Sequence, residues 1–161
     1  MLYPRSGGAL RTISPDSIIA PWLETIHPNR LWVIGTSSPS VVSDYKIHTA
    51  SQVAVLDPAE ICSSHEIPKA ALIARPLTTQ KDLLVAGQLR NLLIADILCF
   101  VSGELAPESL YALAFKRGEE CQEKRFSLSS FHYSLASYNH VRVWNNPKYW
   151  ANPENWNRYW W

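Results

Sequence analysis

Residues 31–40 read LWVIGTSSPS. Four apolar residues follow one another without a polar break, and the run ends at a glycine. A half-buried strand would alternate apolar and polar positions, so an unbroken run this short predicts a strand covered on both faces. Strands of that kind belong to parallel sheets, whose crossover helices lie over them. Ser38 followed by Pro39 gives a helix start three residues beyond the strand, with a hydroxyl at the cap and proline at the first helical position. Strand, glycine turn and prompt helix together predict the opening of a βαβ unit.

The same kind of run returns three times: VAVLD at 53–57, stopped by Pro58, AALIA at 70–74 and ILCFV at 97–101. Helix signals lie between and around them. Ser14-Pro15-Asp16 opens a helix whose Ile18, Ile19, Trp22, Leu23 and Ile26 share one stripe and which ends near His27-Pro28. Thr78 or Thr79 caps a long helix in which Val85, Ala86, Leu89, Leu92 and Leu93 recur at helical spacing. Gly87 inside it is expected to be kept for close packing against a neighbour. Pro107 opens one more helix over ESLYALAF, 108–115. The expected fold class is α/β, a Rossmann-like three-layer sandwich with a mainly parallel sheet and helices on both faces.

The pattern changes at Gly118. GEECQEKR, 118–125, is charged and turn-like, with Lys116, Arg117, Lys124 and Arg125 interleaved with Glu119, Glu120 and Glu123 as in a solvated hairpin or loop. FSLSSFHYSL, 126–135, alternates with a phase slip at Ser129-Ser130, which predicts a strand carrying a bulge. Val141 and Val143 alternate with His140 and Arg142. Antiparallel strands are therefore expected at one edge of the sheet. With no linker or low-complexity tract, residues 1–161 form one expected domain.

Composition narrows the function. Apolar residues make up 47% of the chain and charged residues 18%, enough for a full core, and the formal net charge is +1. That balance argues against a nucleic-acid partner, whose phosphates are held by a concentrated basic surface. The longest apolar run, LLIADILCFV at 92–101, is too short to span a bilayer, and no signal-peptide core is present. Cys62, Cys99 and Cys121 are odd in number and lack Cys-x-x-Cys spacing, so reduced thiols, no metal site and a soluble cytoplasmic protein are expected. The histidines show no ligand spacing, and Cys99, inside an apolar strand, is expected to be inert.

In an open α/β sheet, ligands bind beyond the carboxyl ends of the strands, where strand order reverses. The first strand ends at Gly35-Thr36-Ser37-Ser38, and the helix start behind it offers unpaired N–H groups. The second ends at Asp57, twenty-two residues past Gly35, about where dinucleotide folds place the acid that accepts from ribose hydroxyls. The third ends at Arg75 and the fourth at Ser102-Gly103-Glu104. Gly35, Thr36, Ser37, Ser38, Asp57, Arg75 and Ser102 are therefore expected to outline an adenosine-sized crevice. The full G-x-G-x-x-G fingerprint is absent, with Ser37 and Pro39 where glycine would stand. No catalytic residue emerges from the spacing.

The order of helix, LWVIG turn, VAVLD, AALIA, long helix, ILCFV, helix ending in ALAF and antiparallel strands resembles a shortened class I S-adenosylmethionine-dependent methyltransferase over residues 14–135. The resemblance implies S-adenosylmethionine as cofactor and Asp57 on its ribose; the GTSSPS loop at 35–40 departs from the glycine-rich loop of those enzymes. The AGQLRNLL helix, 86–93, and the WANPENW ending, 150–156, are also similar to a small uncharacterised bacterial family, a domain of unknown function. Whether the chain is an enzyme or a degenerate, non-enzymatic member of the fold stays open.

Five of the seven tryptophans fall within residues 144–161. NPKYW and NPENW repeat an Asn-Pro-x-x-Trp unit, each an asparagine cap and a proline start for one helical turn. The expected roles of this aromatic extension are a clasp on its own domain, the seam of a homodimer or another protein partner, or a surface for ligand stacking.

Overall fold

The four apolar runs become the parallel strands of one sheet. The computed structural model describes residues 13–64 and 66–138, with β1 (Arg30–Ile34), β2 (Gln52–Leu56), β3 (Ala70–Leu77) and β4 (Asp96–Ser102) running in parallel. β5 (Lys116–Glu123) and β6 (Phe126–Ser134) form an antiparallel hairpin whose second strand pairs with β4. Strand order is β2-β1-β3-β4-β6-β5. The architecture is thus α/β with an open six-stranded sheet, mostly parallel and antiparallel toward the C-terminal strands. The strand expected at Val141 and Val143 and the aromatic extension at 144–161 lie outside the described residues.

The central strands divide their side chains between two apolar clusters, as a two-residue period requires. Leu31, Val33, Ala70, Leu72, Leu98 and Phe100 join Ile19 and Leu23 of α1 (Pro15–Ile26) and Val42 of α2 (Ser40–His48). Trp32, Ile34, Ala71, Ile73, Ile97, Cys99, Phe131 and Tyr133 join Leu83, Ala86 and Leu89 of α3 (Asp82–Asn91), Leu110 of α4 (Glu108–Ala112) and Ile61 of the 3₁₀ segment Pro58–Ser63. Burying each such aliphatic or aromatic side chain is worth about 1.5–3 kcal/mol. That explains why β1, with four of its five residues buried, shows so plainly in the sequence. A last short helix, α5 (Leu135–Tyr138), follows β6.

Helix boundaries follow their caps, with exceptions. The Ser14 side chain accepts from the Ser17 amide at the start of α1, and His27, in the left-handed region at φ 45°, closes it. Ser38 does not cap α2, because the helix begins at Ser40, Pro39 stands at the cap without a side-chain bond, and the Ser38 hydroxyl reaches only the Pro39 carbonyl at 3.5 Å. Helix α3 ends at Asn91, so Leu93, at φ 60° and 69% exposed, leaves the expected apolar stripe. Gly87 has no close neighbour: a Cβ there would meet nothing within 4 Å.

The hairpin departs furthest from expectation. GEECQEKR is strand up to Glu123, and only Lys124-Arg125 form the turn, Lys124 taking φ 57°. The bulge lies in β5, where the register slips between Arg117 and Glu120, while β6 pairs with β4 without a break. The slip in FSLSSFHYSL reflects a change in which face is covered: Leu128 and Ser130 are buried on one side of β6, Phe131 and Tyr133 on the other. At the bulge, Ser130 Oγ donates to the Glu119 carbonyl at 2.9 Å. Gly118 passes so close that a Cβ there would stand 2.6 Å from Ser130 Oγ.

Candidate functional site

β2 lies on one side of β1 and β3 on the other, so the chain leaving β1 turns away from the chain leaving β3. Between them a crevice opens, as the switch-point rule requires. Gly35 sits at its floor with φ +153°, a conformation that L side chains rarely adopt. Its amide donates to the Leu56 carbonyl at 3.0 Å, and a Cβ at Gly35 would lie 3.6 Å from Ala74 Cβ. The glycine thus bonds the end of β1 to the end of β2 and passes close to β3 while keeping its backbone bare.

Asp57 follows β2 directly and caps the 3₁₀ segment. One carboxylate oxygen, Oδ1, accepts from the Ala59 amide at 3.1 Å, and Glu60 returns the bond by accepting from the Asp57 amide at 2.9 Å. This reciprocal capping box accounts for the residue structurally. The Asp57 side chain also accepts from the Glu60 backbone within this box, and it is exposed at the rim.

Arg75 belongs to the irregular stretch of β3, which runs on to Leu77 past a register shift that begins at Ile73. Its Nη2 donates to Asp82 Oδ1 at 2.6 Å. The partner carboxylate is 11% exposed and the arginine side chain 64%. The other oxygen of Asp82 accepts from four donors: the Thr78 amide at 3.0 Å, the Thr78 hydroxyl at 3.2 Å, the Thr79 amide at 2.8 Å and the Thr79 hydroxyl at 2.9 Å. Burial alone would raise the Asp82 pKa, but these bonds favour the charged form more strongly and bring it down to about 2. Thr78 and Thr79, expected as caps, serve instead to fix this carboxylate at the start of α3.

Three cavities adjoin these residues. Gly35, Thr36, Asp57 and Arg75 meet around one of about 60 Å³. Side chains of Ile34, Ile73, Leu77 and Val85 fill the space beneath it, so the expected adenosine-sized crevice is not enclosed here; ligand pockets typically measure roughly 300 Å³ or more. A second cavity of about 460 Å³ lies beyond Ser37, between the starts of α1 and α2 and the β5–β6 hairpin. Ser40 Oγ bridges these two helix starts by donating to Asp16 Oδ2 at 3.4 Å. The third, about 500 Å³, is bounded by Arg75, Asp82, Ser102, Glu104, Glu123 and Phe126.

The structure therefore groups four of the predicted residues, Gly35, Thr36, Asp57 and Arg75, around one small cavity. It places Ser37 at the second and Ser102 at the third, and Ser38 lines none of the three. Ser102 Oγ is shielded from solvent and has no hydrogen-bond partner among the described residues. Sequence reasoning missed Asp82, Glu123 and Phe126. Asp82 had a local signal in the Thr79-x-x-Asp82 spacing, the pattern of a capping box; the other two are brought in by the hairpin.

Of the thiols, Cys99 is buried as its place in an apolar strand implied, and Cys121 is buried although its charged segment gave no sign of it. Cys62 is exposed, Cys99 is buried with its thiol pushed far above the ordinary range, and burial, aided by the charge of Glu123, pushes Cys121 up to about 11. No group of three His, Cys, Asp or Glu side chains among the described residues could hold a metal ion, and no helix among them is long and apolar enough to cross a membrane.

The chain belongs to a family of unknown function, DUF6231, whose model matches residues 13–161. No curated protein matches it.

Proposed function

We propose that this DUF6231 chain binds a small molecule in the crevice beyond the carboxyl ends of its parallel strands, and that the ligand is S-adenosylmethionine or another adenosine-containing compound. The observation that carries this reading is the meeting of Gly35, Thr36, Asp57 and Arg75 at the switch point of the sheet. The exposed carboxylate of Asp57 is the acceptor for ribose hydroxyls. The bare backbone of Gly35 permits close approach. Because the enclosed 60 Å³ takes only part of such a ligand, its bulk crosses the Thr36–Ser37 loop toward the 460 Å³ cavity.

The finer fold reading goes with it: a Rossmann-like, methyltransferase-like three-layer sandwich, supported by the division of the core into one cluster with α1 and α2 and another with α3 and α4. If the ligand is S-adenosylmethionine, methyl transfer to a second molecule is the reaction class, with no residue assigned as catalyst. A cytoplasmic location agrees with three unpaired cysteines.

Calorimetric and thermal-shift titration with S-adenosylmethionine and S-adenosylhomocysteine tests the proposal. Saturable binding that weakens at least about tenfold in Asp57→Ala, the equivalent of about 1.4 kcal/mol, supports it. No binding at millimolar ligand overturns it.

A further inference from the structure

We infer that the 500 Å³ cavity is a second ligand site, built for a zwitterion of the amino-acid class, with Arg75 taking the carboxylate and Glu104 and Glu123 the ammonium group. It deepens the ligand-binding reading of the crevice, since Arg75 borders both this cavity and the small one at the switch point.

The strongest observation is the bond that restrains one end of Arg75 against a fixed carboxylate. A guanidinium has five N–H donors in a rigid fork. One nitrogen of Arg75 is bound by Asp82 at 2.6 Å, and the rest have no partner among the described residues. Asp82 in turn is fixed by four donors from Thr78 and Thr79. An exposed arginine on an ordinary surface would sample many rotamers, and ordering it would weaken any contact it made. Here the bond to Asp82 restrains one nitrogen of the fork at the wall of the cavity and leaves the remaining donors for a planar carboxylate. Asp82 is thus a positioning residue that acts through Arg75.

The other charges in the cavity are of opposite sign. Asp82 is satisfied by Arg75, but Glu104 and Glu123 make no ion pair among the described residues. A purely anionic ligand would face both of them, and a purely cationic one would face Arg75. A ligand carrying both charges satisfies each set. The cavity also has an apolar wall: Pro76, Leu128 and Phe126, the last 69% exposed, match an apolar side chain. Phe126 also offers a ring face to the ammonium group. Ser102 Oγ, buried without a partner at the same cavity, is a polar atom that a ligand can reach by a small rotation.

The test uses L-phenylalanine as probe, with phenethylamine lacking the carboxylate and 3-phenylpropionate lacking the ammonium group, titrated into the full chain by NMR or calorimetry. The zwitterion binds with a Kd in the millimolar range or below, and each singly charged analogue binds at least tenfold more weakly. Arg75→Leu removes the preference for phenylalanine over phenethylamine, and the Glu104→Gln/Glu123→Gln pair removes the preference over phenylpropionate. Asp82→Asn weakens phenylalanine binding while leaving phenethylamine binding unchanged, a split that a merely structural role does not produce. Equal binding of the three probes, or no binding at 10-fold millimolar excess, overturns the inference. Glu104, Glu123 and Arg75 are exposed, so these variants fold. Titration with S-adenosylmethionine in the same samples keeps the two readings separable: loss of nucleoside binding with retained phenylalanine selectivity refutes only the adenosine assignment.

Discussion

Replacing Asp82 with asparagine removes one negative charge from a side chain that is almost fully enclosed and reverses the polarity of one of its two acceptor atoms. In the folded chain the carboxyl titrates near 2 against an ordinary value of 3.8. Because the folded value is the lower one, the carboxylate stabilises the fold at every pH above the unfolded value, and that contribution fades as the pH falls from about 4 toward 2. Over the full range the lowering is worth roughly 2 kcal/mol. The Arg75 end of the ion pair is too exposed to add much. For a chain of this length the expected drop in Tm at neutral pH is about 4–8 °C. Urea denaturation of wild type and Asp82→Asn at pH 7 and at pH 3 measures it. The gap should be about 2 kcal/mol at pH 7 and about 1 kcal/mol at pH 3, where the unfolded chain has largely taken up the proton while the folded chain still holds Asp82 mostly charged. A gap below about 0.5 kcal/mol at pH 7, or one that does not shrink on acidification, refutes the account in which charge-specific hydrogen bonds hold this corner together.

Gly87→Ala should raise stability by about 0.5–1 kcal/mol, since a methyl group there meets open space and alanine is the better helix former; a fall in Tm would mean that the glycine is needed. Gly118→Ala should cost about 1–3 kcal/mol by driving a Cβ against Ser130 Oγ and displacing its bond to Glu119, and Ser130→Ala in the same chain should return part of that loss in a double-mutant cycle. Under native conditions a thiol reagent should modify Cys62 within minutes and leave Cys99 and Cys121 until the chain is unfolded; three equally fast equivalents would contradict their burial.

Three of the parallel strands were legible because they are covered on both faces, so that burial leaves an unbroken apolar run in LWVI, AALI and ILCFV; VAVLD gave the same signal, but β2 is an edge strand with none of its five residues buried. β5 was not legible, because only Cys121 of its eight residues is buried, and a charged edge strand carries almost no compositional mark. Its strand character comes from pairing with β6, a non-local fact. The bulge was expected in the wrong strand for a related reason: a change of covered face and an inserted residue give the same break in alternation. Around the crevice, the positions of Gly35, Asp57 and Arg75 followed from where strands end. The size of the cavity between them did not, since it depends on how far Ile34, Ile73, Leu77 and Val85 fill the space. Asp82 stood out only once β3 and α3 were seen to bring Arg75 back onto it.

The sheet that separates the two apolar clusters also separates their tolerances to change. Leu72 and Ile73 are sequence neighbours, yet one packs with α1 and α2 and the other with α3 and α4. Substitutions on opposite sides share few side-chain neighbours, so their effects should combine nearly independently. A lineage can then refit the half beneath the α3 corner, where Arg75 and Asp82 sit, while the half under α1 keeps its shape. That independence is a route by which one side of the molecule drifts in specificity while the other preserves the frame.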